Sequence, residues 1–480
     1  MPYADLREYI ARLEEEGELM RITQQVDWNL ELGAIIRRAN DLRQPSLLFD
    51  NIKDYPSDCR IFANAVGATK PNAYGRLCLA LDLPKEIPPL EIINELMRRF
   101  ENPIKPVFVD NGPCKENILK GDAIDLLKFP VPFFRSFDGG RYIGSWHADI
   151  NRDPDSGWVN WGMYRHMIHD GQSIGWLAHP GQHGPSIYYQ KYEARGNPMP
   201  MAIAIGTSPA CALASMTQVD RYVNEVDIAG AINQKPVELI KCETIDLEVP
   251  ATAEIVLEGE VRPYERKEEG PFGEYTGYRG SEEAPRPVFH VKCITHRDNP
   301  ILTVSTPGKP FDDQTFVYSL LGSVAMTMSL RKLGVQFKSL FITSSTMGVI
   351  VSTEESYPGY VHTLSSAIWS TKAGIYRPTI IVVGEDVDVT DMEEVVWALT
   401  TRMHPGRDIH IVERAPCHHL FPFISPDDKA AYTAGAAVCF DATFPFEWKE
   451  RTPQVVDFEN SWPEETKQLV ISKWNAYGFK

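Results

Sequence analysis

The sequence lacks several common signatures, and each absence closes a class of function. It has no Gly-x-Gly-x-x-Gly turn and no Walker loop, so nothing marks a dinucleotide or nucleoside-triphosphate site. It has no His-Glu-x-x-His helix, which weakens the case for a metal-dependent hydrolase. None of its eight cysteines forms Cys-x-x-Cys. Scattered from Cys59 to Cys439, they argue against zinc ribbons or a disulfide framework and for reduced thiols in a cytoplasm. Residues 1–20 are acidic and amphipathic, without the basic and apolar parts of a signal peptide. The most apolar long run, 199–216, is interrupted by Pro200, Gly206 and Pro209 and cannot span a bilayer as one helix. Positive charge is also short: 48 lysines and arginines face 65 aspartates and glutamates, a net charge of −17. Such a body repels phosphate backbones and anionic membranes, so neither nucleic-acid binding nor membrane insertion is expected. An acidic substrate would need local cations to offset that field. No internal repeat of solenoid length is visible.

What is present is globular. With 480 residues, 43% hydrophobic and 24% charged, the chain exceeds one ordinary core. Residues 1–105 read as an N-terminal α/β domain. It opens with an amphipathic helix through Leu6, Tyr9, Ile10 and Leu13, has strands at 47–49 and 61–63, and ends in a helix over 88–100. Residues 106–305 alternate in short segments between Gly, Pro and Asp turns, which predicts an antiparallel barrel or sandwich. Residues 306–333 read as a linker. Residues 334–480 alternate strands (349–351, 379–383, 409–412) with helices (360–369, 391–402), predicting a C-terminal α/β domain with a mostly parallel sheet. The chain is thus an α/β protein of three parts.

The stretch with most chemistry is Glu268-Glu269-Gly270-Pro271-Phe272-Gly273-Glu274-Tyr275-Thr276-Gly277-Tyr278. Three glycines and Pro271 exclude a helix interior and predict a tight, stiff loop after a strand. Such a loop can hold Glu269 and Glu274 together and away from water, which raises the pKa of one and makes a general acid. The same residues could also form an ordinary solvated turn.

Further candidates are dispersed. Asn160, His183 and Glu225 offer an amide oxygen, an imidazole and a carboxylate, a possible site for Mn²⁺ or Mg²⁺. Arg165 is either a surface arginine paired with an acid such as Asp170 or a planar donor able to bind a carboxylate bidentately. Lys372 reads as solvated unless it faces a ligand, and His418-His419 offer hydrogen-bonding rings.

The run Glu-Gly-Pro-Phe-Gly-Glu-x-x-Gly-Tyr resembles the signature of the UbiD family of decarboxylases, and further matches extend over most of the chain. The resemblance implies a central split β-barrel flavin-binding domain and a C-terminal oligomerisation domain. It also implies prenylated FMN as an electron sink for releasing CO2, reversibly, from an aromatic, heteroaromatic or α,β-unsaturated carboxylic acid. In that frame Arg165, Glu269 and Glu274 are catalytic. Arg165 completes a network with Glu269 and Glu274 and orients the substrate carboxylate, Glu274 protonates the carbon left behind, and Glu269 tunes the pair. Asn160, Met163, Arg165, Gln182, His183, Glu225 and Lys372 hold the cofactor. Asn160, His183 and Glu225 ligate the divalent ion at its phosphate, and Trp161, Ser215 and Met216 ligate K⁺. Met163, Gln182, His418 and Leu420 line the substrate pocket, where His418 and His419 depart from the family's bulky apolar residues. Arg402 is expected near Lys372. A flavin prenyltransferase would supply the cofactor, and the assembly would be a homodimer or homohexamer. Residues 1–21 are similar to hydroxyarylic-acid members and residues 474–480 to ferulic or cinnamic-type members, so the acid stays at class level. The rival readings are a non-catalytic flavin-binding or assembly protein of the same fold and, less favoured, a metal-dependent hydrolase.

Overall fold

The computed structural model describes residues 3–479 except 281, 346, 355, 416, 419, 431–434 and 449. The N-terminal helix Leu6–Glu15 forms as its apolar spacing predicts. Asp5 caps it by accepting from the Glu8 amide, and Leu6, Tyr9, Ile10 and Leu13 are buried. A small sheet follows in the order Leu19–Ile22, Ser46–Phe49, Arg60–Ala63, Ile301–Val304. Its last strand comes from far along the chain and runs parallel to Arg60–Ala63. The barrel segment therefore returns to the N-terminal unit before the chain moves on.

The middle of the chain builds a nine-stranded sheet. Its central pair is long: Ile255–Glu269 against Ala284–His296, antiparallel. Met199–Ile205, His147–Arg152 and Val159–Gly162 extend it on one side, and Ser173–Trp176, His166–Asp170 and Tyr142–Gly144 on the other. Every pairing in this sheet is antiparallel. The ends do not pair with each other, so the sheet is a split barrel. Both faces of Ile255–Glu269 are buried over its first half. Val256 joins one apolar cluster and Ile255 and Leu257 another. The strand runs on to Glu269, so Glu269 ends a strand and only Glu274 lies in the loop, where both were expected.

The segment 306–333 is not a plain linker. Asp313–Lys332 is a 20-residue helix. Asp312 and Thr315 cap its start reciprocally, each side chain bonding the other's backbone amide at 3.0 Å. Serines and a glycine interrupt its apolar residues, so the sequence shows no amphipathic stripe, yet Phe316, Leu320, Leu321 and Val324 are buried. Its serines bond across the structure. The Tyr74 hydroxyl lies 3.0 Å from Ser319 Oγ, and Ser323 Oγ accepts from the Ile342 amide at 2.8 Å. The helix thus fastens the N-terminal unit to the C-terminal sheet.

That last sheet has the order Ser339–Ile342, Val349–Ser352, Thr379–Val383, Gly435–Ala442, Ile409–Ala415. Its two central pairings are parallel and its two outer ones antiparallel. The strand foreseen at 409–412 is the antiparallel edge, and the parallel neighbour of Thr379–Val383 comes from Gly435–Ala442. Apolar alternation marks a strand but carries no direction. The helix Met392–Arg402 follows its Asp391 cap as expected, although Val396 points outward at 48% exposure.

Candidate active site

Strand Ile255–Glu269 delivers Glu269 to the barrel interior, opposite Arg165 just before strand His166–Asp170. Arg165 donates from Nε to Glu269 Oε1 at 2.9 Å and from Nη2 to Oε2 at 2.8 Å. Its Nη1 donates to Glu274 Oε1. Gly175 makes room, because a Cβ there would lie 3.0 Å from Glu269 Cγ. All three side chains are buried. The Tyr142 hydroxyl lies 3.1 Å from both Glu269 Oε1 and the Pro271 carbonyl, tying the strand end to the loop. Gly139 packs against the loop from outside, its amide donating to the Pro271 carbonyl at 2.8 Å. A Cβ at Gly139 would stand 1.9 Å from the Gly270 carbonyl oxygen.

This geometry separates the two acids. Burial raises the Glu274 pKa; Arg165 opposes that, and the charge of Glu269 adds to it. Burial also works against the Arg165 charge, but the two glutamates more than offset it and hold its pKa above the usual guanidinium value. Arg165 and Glu274 line a cavity of about 570 Å³, and Glu269 stands behind them outside its lining. One expectation changes here. One bidentate edge of Arg165 is taken by Glu269 and a third donor by Glu274, so only the remaining hydrogens of Nη1 and Nη2 are left for a substrate carboxylate.

A recess of about 70 Å³ adjoins this cavity, sharing Met163, Tyr164, Gln182, Met216 and Tyr318 with it. Asn160, Trp161, His183, Ser215, Met216, Glu225 and Lys372, far apart in sequence, all line it. Asn160 and Trp161 sit on strand Val159–Gly162, and Glu225 opens helix Glu225–Asn233. His183 Nδ1 lies 3.9 Å from Glu225 Oε1, and the Trp161 amide donates to Glu225 Oε2 at 2.9 Å. Burial, with Lys372 and Arg221 nearby, pushes the His183 pKa down to about 3, leaving a neutral imidazole. Burial pushes Glu225 up to about 8, the mark of a carboxylate short of a cation. A neutral nitrogen with oxygen donors suits a divalent cation such as Mn²⁺ or Mg²⁺. Lys372 reaches across from the C-terminal unit, donating to the Gly181 carbonyl at 2.9 Å. Burial and Arg221 lower its pKa to about 8.

The comparisons with known proteins agree along the whole chain. Residues 10–100, 105–310 and 320–442 match the N-terminal, Rift-related and C-terminal domains of the 3-octaprenyl-4-hydroxybenzoate carboxy-lyase family, UbiD. The chain is 31% identical to the pyrrole-2-carboxylic acid decarboxylase of Pseudomonas aeruginosa, covering 99% of this chain and 98% of that one. The chain belongs to the UbiD family. Among solved structures, the vanillic acid decarboxylase of Sedimentibacter hydroxybenzoicus in closed form superposes with a TM-score of 0.90 at 31% identity over 99% of both chains. An evolved dimeric form of the UbiD-class enzyme HmfF from Pelotomaculum thermopropionicum, in complex with prFMN, gives 0.79 at 30% identity, over 95% of this chain and 97% of that one.

In this UbiD chain the four pocket residues Met163, Gln182, His418 and Leu420 do line the larger cavity. His419 lies outside the described residues. Arg402 is absent from both linings and instead pairs with Asp386 at 2.6 Å beneath Trp397. Its place at a helix end carried no information about which way it points. Sequence reasoning missed His179, whose ring stacks on His418 at 5.4 Å, and Tyr318, supplied by the helix taken for a linker. It also missed a buried cluster of His147, Asp149 and His166. The alternation of His147 and Asp149 along one strand was the available signal.

Proposed function

We propose that this UbiD protein is a prenylated-FMN-dependent carboxy-lyase that removes CO2, reversibly, from an aromatic, heteroaromatic or α,β-unsaturated acid. The observation that carries this is the asymmetric acid pair, with Glu269 held bidentately by Arg165 and Glu274 held once, at the cavity wall. The recess fits the phosphate end of the cofactor, with Asn160, His183 and Glu225 binding Mn²⁺ or Mg²⁺. Trp161, Ser215 and Met216 bind K⁺, and Lys372 faces the phosphate. Bound in the adjoining cavity, the cofactor supplies the electron sink that decarboxylation requires. Glu274 holds the proton for the carbon left behind, and its burial, opposed by Arg165, favours the protonated form. Arg165 fixes both acids, and Glu269 keeps its guanidinium committed. Met163, Gln182, His418 and Leu420 face the acid. The pyrrole and vanillic acid decarboxylases support an aromatic or heteroaromatic ring. We place the protein in the cytoplasm, beside a flavin prenyltransferase that makes its cofactor. No helix among the described residues is long and apolar enough to cross a membrane. We read the C-terminal unit as the interface of a homodimer or homohexamer. Helix Glu464–Ser472 buries none of its residues, and Leu469, Ile471, Trp474, Tyr477 and Phe479 stand exposed, a face suited to a second copy.

Four outcomes are expected. Protein produced with a flavin prenyltransferase releases CO2 in a screen of such acids. Glu274→Gln keeps its flavin but turns over about 10²–10⁴-fold more slowly; near-normal turnover contradicts the assignment. Glu225→Ala emerges with less divalent metal and less flavin, read by elemental analysis and absorbance, and unchanged contents of both refute the ion's role. Light scattering at micromolar concentration gives at least twice the chain mass, and a monomer excludes the interface.

A further inference from the structure

His147 and Asp149 lie two residues apart on one strand and so face the same side of the sheet. His166 begins a strand near the sheet's other edge, which the curl of the barrel brings round to them. Gly144 leaves room for both rings, since a Cβ there would stand 2.5 Å from His166 Cδ2 and 3.0 Å from His147 Cε1. All three side chains are sealed from solvent, and one ligand atom from each lies within 4.8 Å of the others. His166 Nε2 is 2.8 Å from Asp149 Oδ1, and His147 Nε2 is 3.4 Å from the same oxygen.

A carboxylate in such a place needs a cation. Among the described residues, Asp149 has only these two imidazoles as ionic partners. Neither nitrogen of His147 makes a hydrogen bond of good geometry among the described residues, although Asp149 and the Tyr164 backbone lie beside its ring, and His166 Nδ1 likewise makes none. The 3.4 Å separation is long for a charged hydrogen bond. It is the spacing of two ligands at about 2.1 Å from a shared ion in tetrahedral geometry, which is about 3.4 Å.

We propose that His147, Asp149 and His166 form a second metal site, distinct from the recess of Asn160, His183 and Glu225, and that it takes a nitrogen-preferring divalent ion such as Zn²⁺. Two imidazoles and one carboxylate are a donor set that favours zinc over the harder Mg²⁺. His147 also lines the larger cavity, whereas Asp149 and His166 do not.

The test uses the full-length chain, stripped of metal and then equilibrated with Zn²⁺ or Co²⁺. Wild type should retain about one more zinc per chain than His166→Gln after desalting. The Co²⁺ form should show tetrahedral ligand-field bands that vanish in His166→Gln and persist in Glu225→Gln, which alters only the recess. Equal zinc in wild type and a His166→Gln protein with native near-ultraviolet circular dichroism overturns the site. If that variant does not fold, His147→Gln makes the same comparison. Absence of the Co²⁺ bands from wild type overturns the site in any case.

Discussion

The bidentate pair between Arg165 and Glu269 is the constraint on which the rest of the site depends. Both groups are buried, so removing Arg165 leaves Glu269 without its cation, at a cost of about 3–5 kcal/mol. The pair fixes where the long central strand ends and where its loop begins. Because the guanidinium gives two of its donors to Glu269 and one to Glu274, the two acids differ by geometry although they are the same residue type. One is locked against the guanidinium by two bonds, and the other, held once at the cavity wall, has its pKa raised by burial.

The surrounding fold protects that division. Tyr142 ties the strand end to the loop, Gly139 closes against the loop from outside, and Gly175 yields space to Glu269. The helix Asp313–Lys332 spans from the N-terminal unit to the C-terminal sheet and supplies Tyr318 to the cavity. Lys372 reaches the recess from that last unit. In a chain of net charge −17, the cations that matter are thus gathered locally, as an anionic substrate and a phosphate both require.

Much of this was legible in the sequence because stiff loops and apolar periodicity act locally. The Gly-Pro-Phe-Gly run announced a rigid loop, and the helices at 6–15 and 392–402 followed from apolar spacing. The grouping of Asn160, His183 and Glu225 was a weak possibility in the sequence that resemblance strengthened and to which it added Lys372, since nothing local links positions from four separate elements. Three features stayed hidden for physical reasons. A strand's direction leaves no mark on its alternation, so 409–412 gave no sign of being an antiparallel edge. A helix buried on all sides has no polar face, so 313–332 passed for a linker. The network of Arg165 with Glu269 and Glu274 depends on a register between distant strands, so it came from resemblance alone, and nothing in the sequence said which acid would take the bidentate edge.

The most direct test of this account follows the Glu274 carboxyl itself. Infrared difference spectra across a pH titration, assigned by subtraction of Glu274→Gln, report when its protonated carbonyl band disappears. The account predicts that in wild type the band persists above the range of an ordinary glutamic acid. In Glu269→Gln it should vanish at lower pH, because the like charge that raised the pKa is gone and Arg165 is free to stabilise the anion. A band lost at the same pH in both proteins, or already lost in wild type where free glutamic acid ionises, would contradict it.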